Sequence, residues 1–146
     1  MKKEVTILLV EDNEGDVVLT VEALKQAEIH NEVVVVRDGE EALNYLFRQG
    51  KYSDSSLPDL IFLDINLPRI DGKEVLARIK NDDLLKSIPV VMLTTSDSEK
   101  DIRESYAQHA NCYITKPVDF NKFMDVVHMI NDFWINLVRL PQPSSN

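Results

Sequence analysis

Two acids, Glu11 and Asp12, directly follow the apolar run Val5-Thr6-Ile7-Leu8-Leu9-Val10, and a third, Asp64, directly follows Leu60-Ile61-Phe62-Leu63. Carboxylates at the ends of buried strands are costly unless positive charge sits among them. Their convergence points to a hard divalent cation such as Mg²⁺, which takes oxygen ligands. Thr94 closes a fourth apolar run and Lys116 follows a fifth. This set suits phosphoryl transfer. A carboxylate can become an aspartyl-phosphate, a cation neutralises charge on the incoming oxygens, a lysine adds a second point charge, and a threonine hydroxyl can donate to a phosphoryl oxygen. Asp64 is assigned as nucleophile because it is the lone acid at the tip of the expected central strand. Glu11 and Asp12 are assigned as metal holders.

These groups lie far apart in sequence, so the fold must gather them. Short β-branched runs at Val5–Val10 and at residues 33–36, 60–63, 90–93 and 112–114 read as buried parallel strands. Amphipathic stretches alternate with them. The first, over residues 16–27, places Val17, Val18, Val21, Leu24 and Ala27 at helical spacing. The second follows Asp38-Gly39 with Ala42, Leu43, Leu46 and Phe47. The third follows Asp71-Gly72 with Val75, Leu76 and Ile79. A fourth is expected over residues 99–109, and a fifth from Asp119 to Leu137. Five βα units predict an α/β fold, a five-stranded parallel sheet, doubly wound in the flavodoxin-like manner, with helices on both faces. The carboxyl ends of all strands then point the same way, where open α/β sheets place ligands. Residues 49–56 are polar and read as a surface loop.

Composition narrows the function. At 146 residues the expectation is one domain over residues 1–140 with an extended last helix, and a flexible Pro- and Ser-containing tail over 141–146. The net charge of −9, from 25 acids and 16 bases, disfavours direct binding to nucleic acid or anionic lipid. No stretch approaches the ~20 apolar residues of a membrane span, and no signal peptide is visible, so the cytoplasm is the expected compartment. Cys112, the single cysteine, excludes an internal disulfide. The Glu11-Asp12-Asn13-Glu14 turn would repel a bare phosphate, and no Gly-rich Lys-Ser/Thr loop is present; both exclude dinucleotide and P-loop sites.

Four motifs in order carry a resemblance: Leu9-Val10-Glu11-Asp12-Asn13, Asp64-Ile65-Asn66-Leu67-Pro68 followed by Asp71-Gly72, Met92-Leu93-Thr94, and Tyr113-Ile114-Thr115-Lys116-Pro117. From Val5 to Asn131 the chain resembles the receiver domain of two-component response regulators. The resemblance implies that Asp64 accepts a phosphoryl group from a histidine kinase in the presence of Mg²⁺ or Mn²⁺. It implies Glu11, Asp12, Asp64 and the Asn66 backbone carbonyl as metal ligands, Thr94 as switch hydroxyl, Tyr113 as switch aromatic and Lys116 as the phosphate-pairing lysine. Phosphorylation would then change the surface formed by the fourth helix, fifth strand and fifth helix. The opening at residues 11–16, the polar insert and the extended last helix are similar to stand-alone regulators associated with phytochrome kinases. Thr95 stands where the family usually has Ala or Gly, which implies tighter access for the donor histidine. Apolar residues along the last helix, among them Phe133, Trp134 and Leu137, point to a homodimer through the same surface.

Two rivals belong to other classes. A Mg²⁺-dependent phosphohydrolase would need a general acid two residues beyond Asp64, and Asn66 cannot serve. A pseudo-receiver that binds partners without phosphate would not need the complete set of site residues.

Overall fold

The computed structural model describes residues 5–26, 31–94 and 112–115, together with Asn121 and Asp125. The expected fourth helix, the expected fifth apart from Asn121 and Asp125, Lys116 and the tail lie outside the described residues. So do the side chains of Thr94 and Tyr113.

The described elements are β1 (Val5–Val10), α1 (Glu14–Gln26), β2 (Asn31–Val36), α2 (Gly39–Leu46), a single 3₁₀ turn (Gly50–Tyr52), β3 (Leu60–Asp64), α3 (Gly72–Lys80), β4 (Val90–Thr94) and β5 (Cys112–Thr115). The strands form one parallel sheet in the order β2-β1-β3-β4-β5. That is the doubly wound arrangement read from the alternating runs. The order reverses between β1 and β3, the crevice where such sheets bind ligands.

Side-chain alternation splits the strands between two cores. Leu8, Val10, Val36, Ile61, Leu63, Val90 and Met92 pack with α2 and α3. Ile7, Leu9, Leu60, Phe62, Val91, Leu93 and Ile114 pack with Val17, Ala23 and Leu24 of α1. Residues of β3 are buried throughout, as expected for a central strand covered on both faces.

Helix starts are set by short polar side chains. Asn13 Oδ1 accepts the Asp16 N–H at 2.9 Å, Asp38 Oδ1 the Glu41 N–H at 2.7 Å, and Asp71 Oδ1 the Glu74 N–H at 2.9 Å. Because Asn13 opens α1, this helix starts two residues earlier than the apolar spacing predicts. Val18 belongs to its outer side and is half exposed, not a core position. Phe47 likewise lies at the exposed C-terminus of α2.

The polar insert is more ordered than a plain surface loop. Arg48 adopts a left-handed conformation (φ 54°), its N–H bonded to the Tyr45 carbonyl and the Gln49 N–H to the Asn44 carbonyl. This double bond pattern terminates α2 and reverses the chain. Tyr52 then returns to α2. Its ring meets Tyr45 edge-on at 5.1 Å, and its hydroxyl donates to Glu41 Oε2 at 2.6 Å.

Candidate functional site

Strand register brings the acids together. Val10 of β1 is paired with Leu63 of β3, so the next residues on the two strands, Glu11 and Asp64, emerge side by side. Adjacent strands lie about 4.8 Å apart. Glu11, Asp12 and Asp64 each offer a carboxylate oxygen, and these oxygens all lie within 4.8 Å of one another. Glu11 and Asp64 are buried, while Asp12 faces solvent.

Local hydrogen bonds hold the two buried carboxylates. The Glu11 N–H continues the ladder to the Val36 carbonyl at 3.0 Å, and Glu11 Oε2 accepts the Asn13 N–H at 3.2 Å. Asp64 Oδ1 accepts the Asn66 N–H at 3.0 Å. The Ile65 N–H reaches the Leu93 carbonyl at 2.8 Å, which ties the chain beyond Asp64 to β4. Asn13, not Glu11 or Asp12, caps α1, so helix capping does not account for the two acids.

Like charges at this spacing repel by on the order of 3 kcal/mol per pair at an effective dielectric of about 20. An oxygen-rich cluster of this kind fits a hard divalent cation, because the ion converts mutual repulsion into shared attraction. Softer ions prefer sulfur and imidazole ligands, which the described cluster does not offer.

Two glycines set the loop after Asp64. A Cβ on Gly72 would stand 2.1 Å from the Asp64 carbonyl oxygen, and the Gly72 N–H donates to the Ile65 carbonyl at 2.9 Å. A Cβ on Gly39 would stand 1.9 Å from the Ile70 carbonyl oxygen. The loop is therefore seated against α3 at one foot and against α2 at the other. Arg69, at the loop's outer bend, has a left-handed backbone (φ 68°) and faces Asp38 and Glu40 across ion pairs of 3.6 and 3.3 Å. The Asp38-Gly39 and Asp71-Gly72 pairs mark both seats in the sequence. No local signal marks Arg69, whose partners come from another element.

The predicted site residues are thus partly assembled among the described residues. Glu11, Asp12 and Asp64 converge, and Asn66 joins them through its N–H. The backbone of Thr94 lies one residue past Leu93, the β4 partner of Asp64, and is itself paired with Thr115 of β5. Lys116 follows Thr115 directly in the chain.

Comparison with known proteins agrees with this geometry. The family model described as response regulator receiver domain matches residues 7–128. Response regulator Rcp1 of Synechocystis sp. is 48% identical over 135 residues, covering 92% of each chain. The crystal structure of the phosphorylated cyanobacterial phytochrome response regulator RcpA superposes with a TM-score of 0.80 at 51% identity, over 91% of this chain and 95% of that one. The Mn²⁺-bound form of Rcp1 superposes with a TM-score of 0.79 at 48% identity, over 89% and 94%. The family match spans most of the sequence and the relatives are matched nearly end to end; the chain belongs to the receiver domains of two-component response regulators.

Proposed function

We propose that this receiver domain takes a phosphoryl group onto Asp64 from the phosphohistidine of a kinase, with Glu11, Asp12, Asp64 and the Asn66 backbone carbonyl holding Mg²⁺ or Mn²⁺. The observation that carries the proposal is the meeting of three carboxylates within 4.8 Å at the β1–β3 crossover point. A cation held by these residues would neutralise charge on the transferring oxygens.

The chain's own groups do the remaining work. The Asn66 N–H fixes the rotation of the Asp64 carboxylate by holding Oδ1. A carboxylate oxygen of Asp64 attacks phosphorus; the phosphorus–nitrogen bond breaks, and its electron pair returns to the donor imidazole. The product is an acyl phosphate. Lys116 pairs with its oxygens and Thr94 donates a hydrogen bond to them. Pairing of β4 with β5, Met92 with Tyr113 and Thr94 with Thr115, supports this reading, because Thr94 and Tyr113 belong to neighbouring strands. Movement of Thr94 toward the phosphate opens space for Tyr113, and the added charge biases a two-state surface.

The proposal has further elements. A phytochrome-type histidine kinase is the donor, supported by the likeness to a phytochrome response regulator. Residues 1–140 act as one domain in the cytoplasm, forming a homodimer through the fourth helix, β5 and fifth helix, without direct contact with nucleic acid. Among the described residues no helix is long and apolar enough to cross a membrane. The domain catalyses only its own phosphorylation and dephosphorylation. Intact-mass measurement after acetyl phosphate and Mg²⁺ tests the core of the proposal. The wild type gains one phosphoryl group and Asp64→Asn gains none; equal labelling of both, or none of either, would refute it.

A further inference from the structure

The outer bend of the Asp64 loop is tied to a helix that contributes nothing to the carboxylate cluster. Arg69 Nε lies 3.6 Å from Asp38 Oδ2 and Arg69 Nη1 lies 3.3 Å from Glu40 Oε1. The guanidinium thus spans two carboxylates of α2's opening turn. Asp38 is not a loose partner, since its other oxygen caps α2. The same turn is braced on its far side. Glu41 Oε1 accepts the Arg37 N–H at 2.9 Å, and Arg37 Nη1 meets Glu14 Oε1, at the start of α1, at 2.5 Å. The backbone beneath Arg69 is already committed. Ile70 sits against Gly39 with no room for a Cβ, and φ at Arg69 is one that non-glycine residues rarely adopt. A residue in a sparsely populated conformation persists only where its surroundings hold it.

We infer that Arg69 is a positioning residue for phosphoryl acceptance: its paired contacts with Asp38 and Glu40 hold the loop over residues 65–71 so that the Asn66 N–H stays aimed at Asp64. This rests on Asp64 being the acceptor. Arg suits the task better than Lys, because a planar fork reaches two carboxylates at once and a point charge does not. Arg69 is 66% exposed, so the pairs act mainly on loop geometry and little on global stability.

The test compares acetyl phosphate labelling rates of wild type, Arg69→Gln, Arg69→Lys and Glu40→Gln at one Mg²⁺ concentration, with amide exchange at Asn66 followed by NMR in each. Exposed pairs of this kind allow an effect of up to about fivefold each. Arg69→Gln is expected to label about fivefold more slowly and to exchange its Asn66 amide about fivefold faster, with little change in melting temperature. Arg69→Lys should keep most of that loss. Glu40→Gln should label about twofold more slowly although it removes a negative charge. If Arg69 served only to attract the anionic donor, Arg69→Lys would label at the wild-type rate and Glu40→Gln would label faster; either result overturns the inference. Unchanged Asn66 exchange in Arg69→Gln, or wild-type labelling by it, overturns it as well while leaving Asp64 as acceptor. Failure of the wild type to label removes both.

Discussion

Glu11 and Glu41 are the same residue type at the same end of the sheet, and their surroundings differ in kind. Glu41 is served by the chain itself: the Tyr52 hydroxyl at 2.6 Å, the Arg37 N–H at 2.9 Å, and the Lys51 ammonium at 3.8 Å. Burial alone would push its carboxyl up. The Tyr52 and Arg37 hydrogen bonds and the Lys51 and Arg37 charges outweigh that effect and hold it below the usual carboxylate range. Glu11 accepts the Asn13 N–H at 3.2 Å and also lies with Asp12 and Asp64 in a group of three carboxylates. A carboxylate answered by donors and cations of its own chain stabilises structure. One grouped with two other carboxylates fits a cation shared among them. The contrast sets an acid held by one hydroxyl, one N–H and one ammonium apart from a carboxylate group suited to a shared cation.

The sharpest way to break this comparison is to remove one acid from each region and measure metal affinity. Asp64→Asn should weaken Mn²⁺ binding by calorimetry at least tenfold, since an anionic ligand becomes neutral. Glu41→Gln should leave that affinity within twofold and lower the unfolding free energy by about 1–2 kcal/mol through its lost charge-assisted hydrogen bonds. The opposite pattern would reverse the two assignments. Next in size is Gly72→Ala. A Cβ 2.1 Å from the Asp64 carbonyl forces the backbone to move, and overpacking of this kind costs roughly 1–3 kcal/mol. Urea denaturation should show that loss; wild-type stability with weakened Mn²⁺ binding would mean that the loop, not the core, absorbs the strain.

The smallest effect concerns the Tyr52–Glu41 bond. Tyr52→Phe should cost about 1 kcal/mol and leave metal binding unchanged. Its pH signature has a definite sign. Burial, with help from the Glu41 hydrogen bond and charge, pushes the Tyr52 hydroxyl from 10.0 up to about 12. The folded state therefore keeps the proton longer than the unfolded one. The contribution is fully present below pH 10 and fades as pH rises toward about 12. Glu41 acts at the other limb: its depressed carboxyl contributes above its unfolded value and is lost as pH falls through the folded one. Thermal melts of Tyr52→Phe and wild type should converge at the alkaline end of that window. A constant gap up to pH 12 would show that the bond contributes nothing.

The sequence disclosed most of the fold because its signals are local. Five β-branched runs, and Asp or Asn ahead of each described helix, define elements without knowledge of their neighbours. The three acids were legible for the same reason, each standing at a strand's end. What was missed depends on long-range contact. Arg69 reads as one more surface arginine until Asp38 and Glu40 arrive from a separate element. Tyr52 reads as part of a polar loop until its ring meets Tyr45. Val18 was misplaced because apolar spacing alone cannot tell which edge of a helical stripe reaches the core; the cap at Asn13 sets the phase.

The pairing of Val10 with Leu63 has a thermodynamic consequence. Glu11 and Asp64 become neighbours only when β1 and β3 have zipped to their last residues, so the unfolded chain holds no comparable chelate. An ion held by these oxygens would bind the native state alone, and its free concentration would then act on the folding equilibrium. A hundredfold excess over the dissociation constant deepens the native well by about 2.7 kcal/mol.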